Sequence, residues 1–167
     1  SGRRAADLLP GRDLWWDDAV AGDHDVPCEP VDAEHPLFVL YTAGATGKPK
    51  GVLHTTGGYC AGLLATMQAV FAAEPGGDVL FTYADPGWIT GQSYTNYAPL
   101  LTGLATVLYE GVPDHPKPDR FWRIIARHRV SLFKIGAPGL RLAMRYGADW
   151  PRRFDLSSLR VVCSCAE

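Results

Sequence analysis

The 167-residue chain has no run of about 18 apolar residues, the length a helix needs to cross a bilayer. No charged-then-apolar leader opens it either. Neither sign of charge is in excess. Sixteen Lys and Arg stand against 18 Asp and Glu, for a formal net charge of -2. That balance argues against nucleic acid or an anionic membrane as a partner. Cysteine is sparse. Cys28, Cys60, Cys163 and Cys165 form one C-x-C and two scattered thiols, short of the matched pairs that zinc requires. No metal site is expected from them, and buried free thiols in a reducing cytosol imply a cytoplasmic protein. Internal repeats and low-complexity stretches are missing. Ser1-Gly-Arg-Arg4 and Cys163-Ser-Cys-Ala-Glu167 both read as the interior of a longer polypeptide, so an internal fragment is expected.

What is present is enough apolar residue, 47%, to fill the core of one compact domain. The chain is organised around Tyr41-Thr-Ala-Gly-Ala-Thr-Gly-Lys-Pro-Lys-Gly51. An apolar run at 37–40 before it predicts a buried strand, and residues 56–73 after it predict a helix. Gly44, Gly47 and Gly51 can take positive φ, and exposed amides in such a turn form a nest for an anion. Lys48 and Lys50 add positive charge, and Thr42 and Thr46 add hydroxyls. The G-x-x-x-x-G-K-[ST] phosphate loop is excluded, because Pro49 follows Gly47-Lys48 and Thr42 stands where the first glycine belongs. On the residues alone, an ordinary strand-to-helix loop is equally open.

Strands are predicted at 78–83, 105–109, 131–135 and 161–163. Helices are predicted at 93–102, 118–128 and 138–146, with Pro118 in a first turn. Leu63, Leu64, Met67, Val70 and Phe71 mark one buried helix face, and Phe121, Ile124, Ile125 and His128 another. Arg120, Arg123 and Arg127 read as a solvated side. The alternation implies an α/β fold, a mainly parallel sheet flanked by helices. Residues 1–36 form an irregular lead-in, in which Trp15 and Trp16 are expected to be covered. Ala84-Asp-Pro-Gly-Trp-Ile-Thr-Gly-Gln-Ser-Tyr94 lies at a strand's carboxyl end, where ligands of open parallel sheets bind. Its Trp88, small hydroxyl and glycines suit a pocket for a small apolar group, and a helix start with a packed Trp88 is as compatible. His54 reads chiefly as structural, with a minor role near the loop left open.

The loop closely resembles T-S-G-S-T-G-K-P-K-G, the signature of adenylate-forming enzymes, and keeps eight of its ten positions. Ala43 and Ala45 replace serines. Gly11-Arg-Asp-Leu-Trp-Trp16, residues 84–94, Glu110-Gly-Val-Pro-Asp-His-Pro116 and Asp155-Leu-Ser-Ser-Leu-Arg160 resemble, in order, further segments of AMP-forming short-chain acyl-CoA synthetases. At 133–141 the likeness slips by a residue. Where that family has G-S-V-G-E-P, this chain has Cys163-Ser-Cys-Ala-Glu167.

The resemblance implies that residues 37–167 are part of the large N-terminal domain of an acetate–CoA ligase. Such an enzyme joins a short carboxylate to ATP, with Mg2+, and passes the acyl group from AMP to CoA. By the same resemblance Thr42, Gly44, Thr46, Gly47, Lys48 and Lys50 hold ATP phosphates. Trp88, Ile89 and Thr90 line the acyl pocket, and Thr90 and, weakly, Asp114 meet CoA. Ala166 and Glu167 lie on the adenosine side of ATP. No catalytic residue falls within the 167, so the isolated fragment is expected to be inactive. The departures at Ala43, Ala45, Cys163 and Ala166 keep open a relative that binds nucleotide or CoA without catalysis.

Overall fold

The computed structural model describes residues 7–22, 25–42 and 47–165. The chain divides into two compact units, Ser1–Val31 and Asp32–Glu167. The first carries one short helix, α1 (Trp16–Ala19). Its clearest local tie is the exposed fork between Arg12 and Asp13, 2.7 and 2.8 Å. Trp15 is half-buried but Trp16 is 76% exposed, so covering of both rings is not observed.

The second unit contains a four-stranded, all-parallel sheet in the order β4-β3-β5-β6, from β3 (Val79–Tyr83), β4 (Ala105–Val107), β5 (Leu132–Gly136) and β6 (Val161–Cys165). Helices connect the strands: α2 (Thr56–Ala69) before β3, and α5 (Arg120–His128) and α6 (Ala137–Arg145) around β5. Between β3 and β4 runs one continuous helical stretch, α3 (Ile89–Gly91), a π-helical segment (Gln92–Tyr97) and α4 (Ala98–Leu101).

Side-chain alternation sends the central strands to two cores. Leu80 and Leu132 meet Leu63, Met67 and Phe71 of the α2 region, with Ala98 and Leu104. Phe81, Phe133 and Ile135 meet Phe121 and Ile125 of α5 on the other side. Phe81 stacks on Phe133 at 5.1 Å, and Tyr83 meets Phe121 edge-on at 4.8 Å. Each such side chain removed from water stabilises the fold by about 1.5–3 kcal/mol. Lys134 shares the α2 face of β5, buried, with its ammonium 5.4 Å from the centre of the Tyr94 ring.

Local chemistry sets the element ends. Arg129 takes left-handed φ, +49°, and stops α5. Asp119 precedes α5 and accepts from Arg123 at 2.6 Å, which places Pro118 one residue before the cap instead of in the first turn. His128 is exposed instead of sharing the buried face of α5. Helix α2 ends at Ala69, four residues before the expected stop, and Val70 is 57% exposed.

The first predicted strand is real but is not part of the parallel sheet. β1 (Pro36–Tyr41) pairs antiparallel with β2 (Gly51–Thr55) in a separate two-stranded ribbon. The glycine-rich loop therefore joins two strands of a hairpin, not a strand to a helix. β1 is mostly exposed, in contrast to the buried strand predicted for it. Helix α2 follows β2 directly. Its start is tied to the preceding turn by Thr56 N–H and Gly57 N–H donating to His35 O and Ala33 O, 2.9 and 2.8 Å.

Candidate functional site

The carboxyl ends of β3, β5 and β6 lie side by side, and a cavity of about 360 Å³ opens there. Tyr83, Ala84 and Asp85 line it after β3, Gly136 and Pro138 after β5, and Cys165 at the end of β6. Trp88, Thr90 and Gly139 complete its wall. The position matches the rule that open parallel sheets bind ligands beyond their strand ends. Burial, then the neighbouring Tyr109 and Asp114, push the Tyr83 hydroxyl pKa up.

A tightly built turn presents Trp88 and Thr90. Asp85 Oδ1 accepts from Gly87 N–H at 2.6 Å, and Asp85 O accepts from Trp88 N–H at 3.0 Å. Gly91 packs on the same backbone. A Cβ there would overlap the Asp85 carbonyl oxygen and sit 2.9 Å from Pro86 Cα. Ile89 does not line the strand-end cavity. It lines a second one of about 290 Å³ with Leu37, Phe38 and Leu40 of β1, Gly87, Gln92 and Tyr97. Trp88 borders both, so the ribbon that carries the glycine-rich loop adjoins the turn that carries Thr90.

The base of that loop is clasped. Thr42 N–H donates to Lys50 O at 2.9 Å and Lys50 N–H donates to Thr42 Oγ1 at 3.3 Å. Gly47 has φ +152° with open space around it, and the Lys48 and Lys50 side chains are exposed. Gly51 does not take positive φ. It is needed for close packing, since a Cβ would meet Val39 Cγ1 at 3.0 Å and the Tyr41 ring at 3.2 Å. Gly44 and Thr46, with Ala43 and Ala45, lie outside the described residues, as do Ala166 and Glu167. His54 stacks on Phe38 at 4.7 Å and meets Tyr59 edge-on at 6.1 Å, which is a packing role.

Asp114 is not in the cavity lining. Its Oδ2 accepts from the Tyr146 hydroxyl at 2.7 Å. That bond, more than burial or the charge of Asp114, raises the Tyr146 pKa. All four cysteines are free. Cys163 and Cys165 point to one side of β6, as a two-residue period requires, but where buried thiols were expected Cys28 is exposed and Cys60, Cys163 and Cys165 are only half-buried. Sequence reasoning did not single out Tyr83, Gly136, Gly139 or Cys165 as cavity residues. Their signal was positional, since each falls at or just past a predicted strand end.

The family model described as "AMP-binding enzyme" matches residues 4–167. The acetyl-coenzyme A synthetase of Pyrobaculum aerophilum is 46% identical over 169 residues, covering 99% of this chain and 25% of that protein. That of Nitrosomonas europaea is 48% identical over 160 residues, 95% of this chain and 24% of its own length. That of Streptomyces coelicolor is 48% identical over 157 residues, 93% and 24%. The chain thus spans about a quarter of the curated relatives it matches.

Proposed function

Because this chain belongs to the AMP-binding enzyme family, we propose that the full-length protein is an AMP-forming acid–thiol ligase. It activates a short carboxylate, acetate first, with ATP and passes the acyl group to CoA. The observation that carries the reading is the strand-end cavity walled by Trp88 and Thr90, within a segment 46–48% identical to acetyl-coenzyme A synthetases.

In this reading Trp88 and Thr90 bound the acyl group at the cavity, and Ile89 supports that wall from the neighbouring cavity. Thr90 also lies against bound CoA. Asp114, held by Tyr146, stands outside the cavity and would repel CoA phosphates, so its part in CoA binding is minor. Thr42, Gly44, Thr46, Gly47, Lys48 and Lys50 hold the triphosphate, and Ala166 and Glu167 approach the adenosine side. Gly47 is open to an approaching anion and the two lysines are exposed beside it, which fits a phosphate tail. Magnesium, if bound with the triphosphate, would share its charge. Such a site works by positioning and charge stabilisation. No helix among the described residues is long and apolar enough to cross a membrane.

The binding-without-catalysis alternative rests on the Ala43, Ala45, Cys163 and Ala166 departures, and the relatives do not favour it. The test is acetate-dependent ATP–pyrophosphate exchange by the full-length protein, followed by acetyl-CoA formation when CoA is added. Exchange without acyl transfer would confine the activity to adenylation. Neither reaction, with ATP bound, would establish the binding-only relative.

A further inference from the structure

The π-helical segment Gln92–Tyr97 interrupts the helical stretch just after the Trp88–Thr90 wall. Such segments add a residue to one turn and are frequent at functional sites. Here the first π residue bends back. Gln92 Nε2 donates to Pro86 O at 2.6 Å. Gln92 Oε1 accepts from Asn96 Nδ2 at 3.3 Å. An amide has one face that accepts and one that donates. With Asn96 engaging the oxygen, the nitrogen faces Pro86. The backbone N–H of Gln92 meanwhile donates to Trp88 O at 3.1 Å. Residues 86–92 are thereby closed into a loop by one side chain, and Trp88 and Thr90 lie inside that closure.

The rest of the turn is anchored at its other end. Asp85 caps Gly87 and Trp88, and Gly91 allows the helix to press on the Asp85–Pro86 backbone. Farther along, Tyr59 and Ser93 hydroxyls meet at 2.6 Å, and Thr82 Oγ1 donates to Tyr94 O at 2.8 Å. These bonds fix the helix to the fold. Only the Gln92 amide, among the described hydrogen bonds, ties its side chain back to the crest at Pro86. Trp88 is 72% exposed, so packing alone does not set its place.

We propose that Gln92 is a positioning residue that braces the Trp88–Thr90 wall from behind, and so sets the size of acid the cavity accepts. This rests on the ligase reading for its substrate, but the brace itself does not.

The test uses the full-length protein with Gln92→Met, which keeps length and removes the donor, and Gln92→His, which supplies a ring N–H as donor in place of the amide. The first readout is amide hydrogen exchange over residues 85–91, with α2 as internal control. Gln92→Met should speed exchange there about three- to tenfold, the worth of one modest hydrogen bond, with α2 unchanged and Gln92→His near wild type. The second is acid-dependent pyrophosphate exchange. KM for acetate should rise by a similar factor with kcat nearly unchanged, and the preference for acetate over propionate should fall. Unchanged exchange over 85–91 in Gln92→Met would overturn the brace. Faster exchange with an unaltered acetate-to-propionate ratio would overturn its role in selectivity. A wild-type protein inactive in pyrophosphate exchange would instead sink the ligase reading, and the hydrogen-exchange result would still decide the brace.

Discussion

Replacing Arg160 with leucine removes the cation that clamps the start of β6 to the start of β3. Arg160 Nη2 lies 2.5 Å from Asp78 Oδ2 and also donates to Ala72 O at 3.1 Å. The Asp78 side chain is only 4% exposed, whereas that of Arg160 is 39% exposed. Removing one partner of a fully buried pair costs about 3–5 kcal/mol. Two features reduce that here. Water reaches the arginine side, and Asp78 keeps the Glu74 N–H, which donates to its Oδ2 at 2.8 Å. The remaining cost is about 2–3 kcal/mol, the scale of one charge-assisted hydrogen bond. Amides of β3 and β6 that exchange through opening of this edge should therefore exchange about 30- to 140-fold faster in Arg160→Leu, at 1.4 kcal/mol per tenfold. The assay is native-state hydrogen exchange of the full-length protein.

The clamp also predicts a pH dependence. Burial pushes the Asp78 pKa up, but donation from Ser131, Glu74 N–H and Arg160 outweighs it, and the folded value is lowered. A lowered folded value means the unfolded chain binds the proton first. The stabilisation is complete above the unfolded carboxyl value of about 4 and is lost as pH falls through the folded one. The gap between wild type and Arg160→Leu should close as the pH drops through that window. A gap under threefold at neutral pH, or one that widens in acid, would refute the reasoning.

Gly91→Ala drives a methyl into the Asp85–Pro86 backbone. It should cost about 1–3 kcal/mol by overpacking, read as faster exchange over residues 85–91, with acetate activation reduced before the melting temperature falls. Lys50→Ala should weaken ATP binding about tenfold, the low end for a charged hydrogen bond, while leaving the Thr42–Lys50 backbone clasp intact. Equilibrium binding of ATP at two salt concentrations checks it, and the loss should shrink at the higher one.

The parallel sheet was legible because its strands carry strong local marks. Val79–Tyr83 and Leu132–Gly136 are apolar runs bounded by turns, and α5 shows Phe121 and Ile125 one helical turn apart. The ribbon was not legible in the same way. Gly51–Thr55 is five residues long, opens on glycine and runs straight into a helix, so its pairing with β1 leaves no period to read. The π-helical segment is equally silent, since one extra residue in a turn does not alter composition. In the candidate site, the place of Trp88 and Thr90 after a strand left a pocket and a packed helix start equally open, and the family resemblance pointed to the pocket. Gly136 and Cys165 reach the same cavity from strands distant in sequence, and only the β3-β5-β6 neighbourhood brings them there. The Asp78–Arg160 clamp spans 82 positions and has no local signature.

Every strand of the main sheet points the same way, so the cavity borrows its walls from three separate returns of the chain, at 83–90, 136–139 and 165. The two aromatic and aliphatic cores sit beneath, on residues that none of those returns except Tyr83 supplies. Apart from Tyr83 and Gly139, where a Cβ would meet Ile135 at 3.1 Å, a wall can therefore be recut by mutation while the scaffold below keeps its packing. What this cavity admits can change at these crossings, one return at a time.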